Sequence, residues 1–124
     1  MTAMGGSAET GRLGEEAAVR HLLANGFEIL ERGWRSGRLE VDIIARRGDT
    51  VHVVEVKCRR NRAEGHDEFA PEFAMNATKL ERLMRAVGDY MRASGFEGEV
   101  SLDLIAVNIT PTGYDVRYYP GVHW

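Results

Sequence analysis

A chain of 124 residues with 44% hydrophobic and 28% charged side chains has the make-up of an ordinary soluble domain, and one domain is the default at this length. A formal net charge of −3 counts against a protein that coats a phosphate backbone by bulk attraction. The lone cysteine, Cys58, rules out an intrachain disulfide framework, and no apolar run approaches the length of a membrane span.

Residues 1–10 are small and polar, without the basic start and apolar stretch of a signal peptide, and read as a flexible N-terminal tail. Residues 11–124 read as a single domain. A helix over 12–24 is stopped by Asn25 and Gly26. Strands follow over 27–34 and 38–47, the second rich in Val and Ile. Gly48 and Asp49 suit a type II′ hairpin turn into a third strand over 50–59. Residues 61–71 read as a loop and 72–94 as a long helix stopped by Gly95. A fourth strand over 99–109 turns through Pro111, Thr112 and Gly113 into a short fifth strand over 114–119. The long helix serves as a right-handed crossover that makes strands three and four parallel. Val51, Val53, Val54 and Val56 make strand three apolar on both faces, as a central strand covered from both sides would be.

The hairpin fixes which residues face each other. Counting back from Arg47 opposite Thr50 puts Asp42 opposite Glu55 and Glu40 opposite Lys57. These four then form a square on one face, provided that no bulge intervenes. Opposed β-carbons lie about 4.5–5.5 Å apart, and like charges so placed destabilise a sheet. Two ionised carboxylates at that spacing need a cation or a shared proton. A hard divalent ion takes oxygen ligands at about 2.0–2.1 Å and fits between them, with the Lys57 ammonium one pleat along. Those are the parts of metal-assisted phosphodiester hydrolysis. The competing reading is a solvated charged face.

Other residues sort around this square. Glu15 lies on the apolar stripe of the first helix, within roughly 40° of Val19 and Leu22 at about 100° per residue. It reads either as an N-terminal charge favoured by the helix dipole or as a further, water-mediated metal ligand. Glu16 points away and is set to pair with Arg20. Leu80, Leu83, Met84, Val87 and Met91 form the apolar stripe of the second helix, and Glu81, Arg85, Asp89 and Arg92 its solvated face. Lys79 stands at the border, either a snorkelling lysine or a phosphate contact. Arg59 and Arg60 belong to a basic stretch with Lys57 and Arg62, either a solvated loop or a nucleic-acid contact. His52 points away from the square and reads as a satisfied core histidine. His21, His66 and His123 show no ligand spacing with Cys58, which excludes a zinc site. Trp34, Tyr118 and Tyr119 have the chemistry to stack on bases but read as core.

Taken in order, Gly14-Glu15, Glu40-Val41-Asp42-Ile43-Ile44, Val54-Glu55-Val56-Lys57 and Lys79 resemble the bacterial YraN family. That family is similar to archaeal Holliday-junction resolvases of the PD-(D/E)XK, restriction-endonuclease-like superfamily. The resemblance runs over roughly residues 11–119. It implies an α/β fold: an αβββαβ core with a mixed central sheet flanked by helices, plus a short extra C-terminal strand. It implies a Mg²⁺- or Mn²⁺-dependent endonuclease acting on DNA, with branched or structured DNA as the narrower expectation. Asp42, Glu55 and the backbone carbonyl of Val56 would be metal ligands, Lys57 would orient or activate the water, and Glu15 would be an acidic accessory. Glu40 belongs to the family pattern as an accessory residue, and Arg59, Arg60 and Lys79 would contact nucleic acid. Val41 stands where the superfamily has proline, Leu39 where the family has glycine, and Ser101 where an arginine is usual, while Asp103 matches. A homodimer in the cytoplasm, with no membrane partner, is expected. The alternative is a non-catalytic nucleic-acid-binding or protein-interaction module that keeps the fold.

Overall fold

The computed structural model describes residues 7–60 and 77–121. The predicted loop over 61–71 and the predicted start of the second helix at residue 72 lie outside them, as do His66 and His123. The elements are α1 (Ser7–Ala24), β1 (Glu28–Ser36), β2 (Leu39–Arg47), β3 (Thr50–Arg60), α2 (Ala77–Ser94), β4 (Glu99–Thr110) and β5 (Gly113–Tyr119). Five strands form one sheet in the order β1-β2-β3-β4-β5. β3 and β4 are parallel and every other neighbouring pair is antiparallel. The fold is therefore mixed α/β, with the αβββαβ order and the extra C-terminal strand. α1 begins at Ser7, five residues before its predicted start.

α1 ends where its carbonyls find partners outside the helix. Phe27 N–H donates to Leu22 O at 3.0 Å and Gly26 N–H to Leu23 O at 3.2 Å, the bond pair of a Schellman motif. Leu22 and Phe27, the two ends of that motif, are both buried in one core. This core places Ala17, Ala18, Val19 and Leu22 against Ile43, Ala45, Val54, Ile105 and Val107. The opposite face packs Leu80, Leu83, Ala86 and Tyr90 of α2 against Val41, Ile44, Val51 and Val53. Two-sided covering is why β3 carries valines on both faces. Each fully buried aliphatic side chain contributes about 1.5–3 kcal/mol.

The stripe of α2 differs from the one expected. Met84 is 53% exposed, and Tyr90 takes the inward place expected of Met91. The Trp34 ring meets Tyr90 edge-on at 5.3 Å and supplies that partner. Glu16 accepts from Arg32 on β1 at 3.0 Å instead of pairing along the helix with Arg20. His52 is a satisfied core histidine: its Nδ1 lies 2.6 Å from Asp103 Oδ2. Among the described residues no helix is long and apolar enough to cross a membrane.

A candidate acidic metal centre

The hairpin register is the expected one, pairing Arg47 with Thr50, Ala45 with His52 and Ile43 with Val54. Among the described residues the ladder between β2 and β3 ends at that last pair. One step further, Asp42 Oδ2 accepts the Val56 N–H at 2.8 Å, so a side chain takes the place of a strand partner. The cause lies on the other side of β2. The β1–β2 ladder pairs Arg32 with Ile43 and Trp34 with Val41, which sets Gly33 beside Asp42. Gly33 has a φ of 63°, a conformation that side-chain-bearing residues avoid. Both strands turn over there. Val41 lies in the α2-side core and Ile43 in the α1-side core. Residues two apart on a regular strand would share a face. In the same way Arg32 reaches Glu15 and Glu16 on α1, while Trp34 packs toward α2.

Asp42 is left at the crossover and lines two clefts. The α1-side cleft, about 600 Å³, adds Glu15, Val56, Lys57, Cys58 and Arg60. The α2-side cleft, about 750 Å³, adds Glu40, Glu55, Lys79 and residues of the β1–β2 turn and α2. Glu40 and Glu55 line one cleft, Lys57 the other, and Asp42 both. Glu55 is buried at 7% exposure, and Lys79 Nζ lies 2.6 Å from its Oε2. Glu40, exposed, pairs with Arg35 at 3.4 Å. Arg60 donates to Thr10 Oγ1 at 3.0 Å, whereas Arg59 is exposed on β3 and lines neither cleft.

The electrostatics follow from this placement. Burial pushes the Asp42 carboxyl up to about 7, helped by Glu55 and then Glu15 and opposed by the Val56 N–H and Lys79. Burial also raises the Cys58 thiol above its usual value, against the pull of Arg60. Among the described residues no three His, Cys, Asp or Glu side chains converge closely enough to hold a metal ion by themselves.

Glu15 reaches Asp42 because α1 sits directly on β3. A β-carbon on Gly14 would lie 2.4 Å from Cys58 Cβ and 2.6 Å from its Sγ. Gly14→Ala is therefore expected to cost about 1–3 kcal/mol in urea unfolding. Cys58→Ala should recover little of that loss, because the nearer clash is with Cβ. Full recovery would show that the sulfur alone sets the spacing.

Sequence reasoning placed Lys79 at the border of a helix and left its target open; the structure gives it Glu55. It missed Arg38 and Arg82, which line the α2-side cleft; Arg85, read as part of the solvated face of the helix, is exposed and lines the same cleft. The mark available beforehand was Gly33, a glycine inside a strand pattern, which signals a bulge or kink.

Comparison with known proteins places these features in a family. A UPF0102 protein of Streptomyces coelicolor is 41% identical over 109 residues, covering 86% of this chain and 81% of the relative. One of Christiangramia forsetii is 34% identical over 110 residues, 89% of each. Among solved structures, Archaeoglobus fulgidus Hjc, a Holliday junction resolvase, is similar at a TM-score of 0.44 and 21% identity, over 86% of this chain and 72% of that one. The description "Uncharacterised protein family UPF0102" matches residues 14–107, from the close approach of α1 through the acidic pair to β4. With that match and those relatives, the chain belongs to the UPF0102 family, the YraN family that its ordered motifs resemble.

Proposed function

We propose that the protein is a metal-dependent endonuclease-like enzyme that hydrolyses phosphodiester bonds in DNA. The observation that carries this reading is the half-buried Asp42 beside the buried Glu55 where β2 and β3 part. One carboxyl is pushed up to about 7 even though Lys79 already faces the other. The donor set is all oxygen, and its negative charge exceeds what one lysine offsets, which fits a hard divalent cation. Asp42, Glu55 and the Val56 carbonyl would hold Mg²⁺ or Mn²⁺, with Glu15 as an acidic accessory from α1. When bound, the ion supplies Lewis-acid polarisation of a phosphate and a more acidic water. Lys57, at the mouth of the α1-side cleft, would orient that water, and Lys79 would exchange Glu55 for a phosphate oxygen. Branched DNA is the favoured substrate, cut in two strands by a homodimer. The lone Cys58 fits a reducing cytoplasm.

A second reading has one observation in its favour. The ion pair of Lys79 with Glu55 satisfies part of the site without any metal, as a non-catalytic binding module would need. Calorimetric titration of Mn²⁺ separates the two. Saturable binding that is lost in both Asp42→Asn and Glu55→Gln supports the enzyme, and Lys57→Ala should then abolish cleavage of junction or duplex DNA while sparing binding. Absent binding, or binding unaltered in both variants, favours the module.

A further inference from the structure

Positive charge gathers in the fold where the sequence does not bunch it. Arg38 stands between β1 and β2, and Arg82 and Arg85 lie on α2. All three are exposed and line the α2-side cleft beside Lys79. The protein holds most of its other described arginines itself. Arg12, Arg32, Arg35 and Arg92 pair with carboxylates. Arg46 and Arg47 donate to backbone carbonyls, and Arg60 donates to Thr10. Among the described residues Arg38 and Arg82 have no such partner.

The acids of the same cleft do not cancel them. Glu40 is paired with Arg35 and Glu55 with Lys79. That leaves Glu81, exposed on α2, and Asp42 at the inner end. The cleft is therefore acidic on its β2–β3 floor and basic along its rim. Lys79, Arg82 and Arg85 span about 9 Å of helix axis. None of the described residues that line the cleft is aromatic, so it offers nothing for bases to stack on. Guanidinium groups grip phosphate oxygens in pairs and carry no sequence information when they do so.

We infer that Arg38, Arg82 and Arg85 form a phosphate-binding wall for the DNA strand, which runs along the α2-side cleft, crosses Asp42 and leaves past Lys57 and Arg60. The ligand is the sugar-phosphate backbone, held without regard to base sequence. The position of the cut in this path rests on the nuclease reading; the wall itself does not.

The test is fluorescence anisotropy in EDTA with labelled mixed-sequence DNA, as single strand and as duplex, over a range of salt. Arg38→Ala/Arg82→Ala should bind about tenfold more weakly or worse, and the slope of log K against log salt should shrink by about 2. The Lys/Lys double variant should keep most of that slope, and it guards against a loss caused by misfolding. Arg59→Ala should change less than Arg82→Ala. Two unrelated sequences should bind alike, whereas a base-reading surface would separate them by about tenfold or more. An unchanged slope in the alanine double variant, or clear sequence preference, overturns the wall. Tighter binding of an oligoribonucleotide of the same sequence overturns the assignment to DNA. Mn²⁺ titration keeps the two readings apart. Wild-type protein that takes Mn²⁺ through Asp42 and Glu55 but binds neither DNA form refutes the wall alone. Loss of DNA binding in the alanine double variant, with Mn²⁺ uptake indifferent to Asp42→Asn and Glu55→Gln, supports the wall and refutes the nuclease.

Discussion

Asp42→Asn is expected to make the metal-free protein more stable at pH 8 and to leave its stability at pH 4 nearly unchanged. The folded-state carboxyl titrates at about 7 and the unfolded one near 3.8. A group raised in this way adds stability that is fully present below about pH 3.8 and is lost as pH rises through 7. At pH 8 the wild-type protein therefore holds an ionised Asp42 against burial, Glu55 and Glu15. Asn is neutral throughout and still accepts the Val56 N–H. The shift sets a ceiling of about 4 kcal/mol, and partial relaxation makes a gain on the order of 2 kcal/mol the expected result. Urea unfolding in EDTA at the two pH values measures it, and an equal difference at both would show that the carboxylate is not strained. Function should move the opposite way. Divalent metal should stabilise the wild-type protein increasingly as its concentration exceeds the dissociation constant and leave the variant alone. Cleavage of DNA should fall on the order of 10²–10³-fold, as when a group that stabilises transition-state charge is removed.

The parts of this arrangement that the sequence discloses are those set by local rules. The turn at Gly48 and Asp49 fixes the β2–β3 register, and the observed pairs follow it to Ile43 and Val54. Valines on both faces mark β3 as central, and the crossover helix makes β4 its parallel neighbour. What escapes is whatever depends on a strand ceasing to be regular. Alternation predicts that Glu40 and Asp42 share a face with Glu55 and Lys57. On β2 that alternation breaks beside Asp42, where Gly33 of the neighbouring strand has a positive φ. Tertiary partners override helical choices for the same reason: Arg32 of β1 outcompetes Arg20 for Glu16, and the Trp34 ring draws Tyr90 inward. The cationic rim is the extreme case. Arg38 and Arg82 are more than forty residues apart in the chain, and only the packing of α2 on β1 and β2 brings them to one cleft. Arg59 and Arg60 are adjacent in sequence, yet only Arg60 lines a cleft beside Asp42.

Asp103→Ala should cost about 3–5 kcal/mol, the largest loss expected of any single polar replacement here. Asp103 is fully buried, and its two oxygens meet four groups of the chain. Oδ2 accepts the Tyr118 hydroxyl of β5 at 2.5 Å and lies 2.6 Å from His52 Nδ1 of β3. Oδ1 accepts the Ser101 hydroxyl of β4 at 2.6 Å and the Gly121 N–H beyond β5 at 3.0 Å. Burial and the neighbouring carboxylate hold the Tyr118 hydroxyl protonated far above its usual range, so it remains a donor at any pH the fold survives. Alanine would leave these donors without that acceptor, the buried His52 and the half-buried Tyr118 among them. Tyr118→Phe removes one donor and should cost about 1 kcal/mol in the wild-type background. In the Asp103→Ala background the same change should cost less, because the hydroxyl has already lost its partner. Urea unfolding of the four proteins closes this cycle. Additive losses would show that the carboxylate and the hydroxyl do not act on each other, and a loss below about 1 kcal/mol for Asp103→Ala would show that water replaces the carboxylate. Hydrogen exchange adds a spatial check: the first amides to lose protection should be those of β5, which Asp103 ties to the sheet through Tyr118 and Gly121.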